Sequence, residues 1–383
     1  MKILLNAINA IGTGAAVVVR NILETIPLIT KKDSFVAVLP AGYGYENISN
    51  SKNFLVKLVP IPKNRVISRI RDIYFAIPAY CVQYNIDICF TLGDIGPTKL
   101  QIPQVVLLHQ PYITYHLPEI ENKYPIYEKL KIKYIRWQFG RMTQNLSAIF
   151  VQTPVMAKRL KNRYNLPSRI IHTIPQAIPQ HIIQYNYDEE ELLDLRMLSA
   201  KKKYRLLFLA AGYEHKNHSI LPALVRELRC RGLNKDVHIF VTLNPSASWY
   251  ESKLIAMLSP YSDCVTNLGR LSMNDVSRAY MTASALFIPT FLETFGLIYL
   301  EAMVYGKPIL TSDRDFARWM CGDNAIYFDP KESKSIANAI ERLINDEYHK
   351  GSEKIIKQRL NEFPSSWRIV SKQYLEIIKK IGE

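Results

Sequence analysis

Two glutamates, Glu293 and Glu301, stand inside the otherwise apolar run FLETFGLIYLEAMVYGKPIL (residues 291–310). Carboxylates seldom enter a buried run without something to hold. ALFIPT (285–290) reads as a strand, FLETFG as a loop, LIYLEAMVY as a helix stopped by Gly306, and KPILTS as the following strand. Glu293 then falls in the loop and Glu301 in the first half of the helix. Gly296 lets the backbone approach a ligand, and the free N–H groups at the helix start attract an anion. The pair would hold different parts of one extended ligand. A structural alternative is that Glu301 pairs with a nearby lysine or caps a turn.

Two other stretches carry groups suited to the same chemistry. His109 closes the apolar run QVVLLHQP, and an open parallel sheet presents its ligands at strand ends. Taken alone, such a histidine is more often a satisfied structural residue. Gly12, Thr13 and Gly14 form a glycine-rich turn between the first apolar run and the helical pattern AAVVVRNIL, without the GxGxxG spacing of a dinucleotide site.

The elements that position these residues follow from the pattern of apolar runs. MKILLNA, SFVAVLP, DICFTLG, QVVLLHQ, SAIFVQT and RIIHTIP, then RLLFLAAG, VHIFVTL, ALFIPT and PILTS, are strand-length, and longer stretches separate them. That is the rhythm of βα units around parallel sheets. The series restarts near residue 204, after YDEEELLDLRMLSAKKKYR (187–205), which turns from acidic to basic and holds no strand-like run. A chain of 383 residues, 48% apolar, is long for one core. We therefore expect an α/β protein of two domains, 1–187 and 188–365, with a C-terminal helix (366–383) that can pack back on the first.

Charge separates the two halves. Residues 1–187 carry 22 Lys+Arg against 9 Asp+Glu, and residues 188–383 carry 27 against 25. The excess gathers in KNRVISRIRD (63–72), EKLKIKYIRWQFGR (128–141) and KRLKNRY (158–164), where cations alternate with Ile, Tyr, Trp and Phe. Such stretches suit an anionic membrane surface or a polyphosphate or nucleic-acid backbone, and a solvated helix face is an equal reading of any one alone. No window approaches the ~18 unbroken apolar residues of a membrane span, so membrane contact would be peripheral. Asn6 and Asn9 interrupt the opening apolar run, which reads as a core strand rather than a leader. Five scattered cysteines without a CxxC pair point to a reducing, cytosolic compartment and no structural zinc.

Glu293 and Glu301 with seven residues between them, Phe295 and Gly296 after the first and EAMVYGKPIL from the second, resemble the signature of glycosyltransferase family 4, of the GT-B fold. GTG, LLHQP, GYEHKN, VTNLGRLSMNDV and NAIYFDPKESKSIANAI agree in order, so the resemblance runs from residue 1 to about 346. It implies two Rossmann-like domains facing across a cleft, the second binding a nucleotide-sugar and the first receiving the acceptor. Glu301 would then bind ribose hydroxyls, since a carboxylate accepts two at once. Glu293 would face the donor sugar, while backbone N–H groups at Phe295, Gly296 and Leu297, beside Thr294, would meet sugar hydroxyls or the diphosphate. Lys216 would neutralise the leaving diphosphate. The family usually has an arginine just before this lysine, beside the glycine here numbered 212; this chain has Tyr213. Lys216 then acts alone, or Arg270 in LGRLS supplies a second charge. Asn217 completes that donor loop, and Gly12, Thr13 and Gly14 approach the donor phosphates from the first domain.

His109 matches the family histidine that contacts the donor sugar near the reacting carbon. Family 4 enzymes retain anomeric configuration, so either the departing phosphate deprotonates the acceptor on the same face, or Glu293 is a covalent nucleophile. The DRD segment (Asp313–Asp315) imitates a metal-binding DxD motif but follows the site strand, and we expect no metal and no required cofactor. The resemblance thus implies sugar transfer from a nucleoside-diphosphate sugar to a hydroxyl of a lipid-linked or cell-surface oligosaccharide, of the bacterial O-antigen or capsule kind. The basic half would rest on the cytoplasmic, inner face of the membrane. Two other readings stand beside it. One is a non-catalytic nucleotide or sugar sensor on the same fold. The other is a nucleic-acid-binding protein, motivated by charge but lacking any RNA-recognition, KH or helix-turn-helix signature, so we expect no nucleic acid.

Overall fold

The computed structural model describes residues 1–11, 13–61, 70–122, 124–178, 182, 194–345 and 352–382. Gly12, most of the basic stretch 63–72 and the first part of the 187–205 connection lie outside the described residues. Two units divide the chain: Met1–Ala177 with Pro364–Glu383, and Ile178–Phe363.

The first unit is built on a seven-stranded sheet in the order β3-β2-β1-β4-β5-β6-β7. Its strands are β1 (Lys2–Asn6), β2 (Ser34–Pro40), β3 (Phe54–Val59), β4 (Ile88–Thr91), β5 (Gln104–Leu107), β6 (Ala148–Val151) and β7 (Ile171–Thr173). Every pairing is parallel. Strands β4, β5 and β6 are buried along their whole length, because helices cover both faces of a parallel sheet, and this makes ICFT and AIFV continuous apolar runs. At the C-terminal ends of β1 and β4, Asn6 pairs with Thr91 and its amide donates to the Thr91 hydroxyl at 3.3 Å.

The second unit repeats the plan. Its six strands are β8 (Tyr204–Phe208), β9 (Val237–Val241), β10 (Val265–Asn267), β11 (Ala285–Ile288), β12 (Ile309–Ser312) and β13 (Ile326–Phe328). They lie in the order β10-β9-β8-β11-β12-β13, again all parallel. This is a doubly wound arrangement in which the winding reverses between β8 and β11. In such sheets the crevice beyond the strand ends at the reversal is where ligands bind.

All ten expected strand runs lie on observed strands. The three that periodicity missed, β3, β10 and β13, are all edge strands. FLVKLV leaves Leu55 and Leu58 partly exposed, and β10 and β13 are three residues each, so none forms a continuous buried run.

The final helix, Trp367–Gly382, belongs to the first unit. Its Tyr374 ring packs at 4.9 Å from Phe150 and 5.6 Å from Phe90, and Ser371 shares a 2.6 Å hydroxyl bond with Thr25 on helix Thr13–Thr25.

Candidate active site

Two loops meet at the reversal of the second sheet. One leaves β8 and turns through Glu214–Lys216 and His218–Ile220, with Asn217 between them at φ +67°. The other leaves β11, runs through Thr290 to Gly296 and enters helix Leu297–Val304. Since β8 and β11 are adjacent, with Leu286 opposite Leu207, the loops start side by side. They are then bonded together. The His215 carbonyl accepts the Phe291 N–H at 2.7 Å and the Thr290 hydroxyl at 3.0 Å. The Asn217 amide donates to the Pro289 carbonyl at 3.1 Å and the Pro330 carbonyl at 2.8 Å.

This bonding brings the expected residues together. Lys216 Nζ forms an ion pair with Glu293 Oε1, with both side chains largely shielded from solvent. About one turn into helix Leu297–Val304, Glu301 is buried and accepts a 3.0 Å hydrogen bond on Oε2 from the Tyr280 hydroxyl. Burial raises the Glu301 carboxyl to about 7, and the Tyr280 bond offsets only part of that. Its Oε1 has no hydrogen-bond partner among the described residues. Glu301 is thus a carboxylate with one oxygen positioned and the other available to a hydroxyl donor. No lysine pairs with it among the described residues; its structural partner is the Tyr280 hydroxyl.

Gly296 caps the helix at φ +78°, in the left-handed region, and no side chain caps the helix start. A Cβ at this position would come within 2.7 Å of the Tyr299 ring, which is fully buried and held by a 2.9 Å hydroxyl bond to Thr311. Only glycine allows this turn. The first N–H groups of a helix lack intrahelical partners, so those around Leu297 are oriented to meet an anion or hydroxyl. Phe295 contributes backbone only: its ring packs into Trp319 and Phe363. Thr294 is partly buried beside it. Gly212 is equally constrained, because a Cβ there would lie 2.3 Å from Glu251 Cγ.

Other sequence-predicted donor residues are placed differently. The Asn217 side chain points inward to the two carbonyls, so it positions the loop and its amide is not directed to a ligand. Tyr213 is 53% exposed, its ring stacked on His215 at 5.6 Å. Arg270 is exposed and follows Gly269, itself at φ +75°. Burial, with Lys216 adding to it, keeps His215 and His218 neutral; the His218 ring falls to about 3 and stacks on Phe208 at 4.1 Å. Asp313 is bonded by both Nε and Nη2 of Arg318, at 2.7 and 2.8 Å.

In the first unit, His109 lies just past β5. Its N–H, and that of Gln110 at 2.8 Å, donate to Oδ1 of Asp94, which follows β4 at φ +66°. Burial lowers the imidazole's proton affinity and the Asp94 charge restores part of it, so the ring is neutral near pH 7. His109 Nε2 is buried without a hydrogen-bond partner among the described residues. Gly12 is not described. Thr13 begins the helix after β1, and at Gly14 a Cβ would meet nothing within 4 Å.

Sequence reasoning missed Tyr280, Glu251, Thr290 and Asp94, the residues that hold the candidate groups. Each is distant in sequence from what it holds or is an ordinary loop residue, and only Asp94 follows a recognisable strand end.

Residues 194–361 match the family model described as glycosyl transferases group 1. The O-antigen chain mannosyltransferase RfbU of Salmonella typhimurium is 24% identical over 182 residues, 45% of this chain and 49% of that protein. The chain spans half or less of the length of the curated relatives it matches. Among solved structures, sucrose-phosphate synthase from Thermosynechococcus elongatus aligns over 100% of this chain and 99% of its own, with a TM-score of 0.74 and 14% identity. HepE of Anabaena, in complex with UDP and glucose, aligns over 99% and 100%, with a TM-score of 0.69 and 16% identity. At these identities the likeness is one of fold, and the fold is GT-B: two α/β units, each on a parallel sheet.

Proposed function

We propose that this chain is a retaining glycosyltransferase of the family 4 kind, moving a sugar from a nucleoside diphosphate to a hydroxyl of a lipid-linked or cell-surface oligosaccharide. The observation that carries the reading is the Lys216–Glu293 ion pair at the strand ends where the second sheet reverses, with buried Glu301 in the helix that the Glu293 loop enters. That crevice is where a doubly wound sheet takes a nucleotide. A group 1 match over the same unit and the UDP and glucose complex of HepE support a nucleotide-sugar donor. RfbU's O-antigen activity supports a bacterial surface-polysaccharide acceptor. In this reading the acceptor is met at the inner face of the membrane.

In this reading Glu301 accepts ribose hydroxyls on its available oxygen, and the helix start at Leu297 meets the diphosphate. Lys216 shifts from Glu293 to the phosphate as charge develops there, and Glu293 then faces the sugar. The bond from the anomeric carbon to the phosphate oxygen breaks as the acceptor oxygen bonds that carbon on the same face. The departing phosphate takes the acceptor's proton. Neutral His109 donates or accepts a hydrogen bond at the sugar through Nε2. No step needs a metal or cofactor.

The test is calorimetric titration with UDP and GDP separately, on the wild type and on Glu301→Ala and Lys216→Ala. Micromolar binding of one nucleotide, weakened by both substitutions, is the expected result. A folded protein that binds neither removes the donor-site assignment.

A further inference from the structure

Helix Ile126–Met142 is apolar on two opposite faces. Its inner face places Ile132, Ile135, Phe139 and Met142 in the core cluster with Val106 of β5 and Ile149 of β6. Its outer face presents Ile126 at 72% exposure, Tyr127 at 63%, Leu130 at 57% and Trp137 at 53%. Ile126, Leu130 and Trp137 stand four and then seven residues apart and so share one side, with Tyr127 at its edge. A surface helix of a globular unit needs one apolar stripe, and the first already fills the core. The second stripe is not required by the fold.

Its rim is basic. Lys129, Lys131, Lys133 and Arg141 flank the stripe, and the Arg141 guanidinium lies 5.2 Å from the Trp137 ring centroid. The single acid of the helix, Glu128, is paired with Lys131 at 3.2 Å. Elsewhere in the same unit, Ile73 joins the same core cluster, and its neighbours Ile70, Tyr74 and Phe75 are exposed, Phe75 at 68%.

We propose that the outer face of helix Ile126–Met142 is a docking surface for an anionic lipid bilayer, with Leu130 and Trp137 entering the headgroup boundary and the lysines and Arg141 meeting lipid phosphates. The proposal deepens the functional reading above, on which it rests for the purpose of the contact. Interfacial helices combine an apolar stripe, aromatic residues and Lys/Arg flanks in this way. Charge selects the occupant: an anionic headgroup layer complements the rim, whereas a second copy of the chain would bring two basic rims together.

Flotation of the full chain with phosphatidylcholine vesicles, alone or with roughly one-third phosphatidylglycerol, tests this surface. Leu130→Ser with Trp137→Ser, and Lys133→Glu with Arg141→Glu, are the variants; Trp249→Ser, an exposed tryptophan of the second unit, is the control. The wild type and the control should float with anionic vesicles only. Each double variant should lose binding, the charge variant by roughly fivefold or more per cation. Equal binding to neutral vesicles, no binding by the wild type, unchanged binding by both double variants, or loss confined to Trp249→Ser overturns the proposal. So does a wild-type dimer in light scattering that the stripe variant converts to monomer, which would assign the face to a second copy, or retention on an acidic polypeptide resin in place of vesicles. Nucleotide titration of the same proteins separates the two readings: vesicle binding without nucleotide binding removes the function and leaves the surface, and the reverse removes the surface alone.

Discussion

Lys216 and Glu293, 77 residues apart in the chain, form an ion pair at the ends of adjacent strands. In the proposed reading the cation that would meet a diphosphate is neutralised by the acid that would face the sugar, so donor binding would exchange one partner for the other. Glu293→Gln keeps the shape and releases the ammonium. We expect it to tighten UDP or GDP binding about tenfold while abolishing transfer, and Lys216→Ala to weaken binding by about as much. Weaker nucleotide binding by Glu293→Gln in calorimetry would remove the exchange.

Glu301 gives two opposite pH trends. Its carboxyl is raised from 4.5 to about 7 by burial. The folded state thus holds a proton that the unfolded chain has released, so this residue's contribution to stability is full below pH 4.5 and is lost as pH rises through 7. The loss is on the order of 3 kcal/mol. The ionised form is the stronger acceptor for a ligand hydroxyl, so nucleotide affinity should rise over the same interval, by up to about tenfold per unit below 7. Urea unfolding and calorimetry between pH 5 and 8 should show both trends, and Glu301→Gln should flatten both.

Asn217 combines a left-handed backbone with two buried hydrogen bonds to carbonyls. Asn217→Ala should cost about 2–4 kcal/mol of unfolding free energy, and Asn217→Gly less, because glycine keeps the φ angle. If Asn217→Ala instead leaves the urea midpoint in place and abolishes nucleotide binding, the residue touches ligand.

Gly296→Ala places a methyl 2.7 Å from a Tyr299 ring that Thr311 holds in place. The left-handed backbone alone should cost about 1–2 kcal/mol. Nucleotide affinity should fall as well, because the clash displaces the helix start. Adding Tyr299→Leu should recover part of the affinity, and a failure to recover any would mean that the backbone angle, rather than the ring, is limiting.

Tyr213 is exposed on the same loop as Lys216. Tyr213→Arg should add a cation beside the diphosphate and raise nucleotide affinity several-fold, with a steeper fall at high salt. Unchanged affinity would place position 213 outside the reach of the phosphates.

The fold was legible where burial is two-sided. ICFT, AIFV and ALFI are buried along their whole length because helices cover both faces of their sheets, whereas FLVKLV, at an edge and interrupted by Lys57, is buried only at Phe54 and Val59. The candidate site was legible at Glu293, Gly296 and Glu301 because one strand, loop and helix carry all three. Its support was not. Tyr280 reaches Glu301 from another helix, Glu251 closes on Gly212 from a third, and the partners of Asn217 follow strands β11 and β13. Those contacts depend on the order of strands in the sheet, and local periodicity does not encode that order. Tyr374 illustrates the same limit: its apolar helix face is plain in the sequence, and its partners Phe90 and Phe150 are set by topology.

The bonds from the His215 carbonyl to Thr290 and Phe291, and from Asn217 to Pro289, make the loop after β8 and the loop after β11 one mechanical piece. Residues 209–217 and 289–296 are therefore a single unit of inheritance as well as of structure. In a chimera built to change the donor, both segments have to come from the same parent, and a crossover anywhere between them would separate a carbonyl from its hydroxyl and a lysine from its acid.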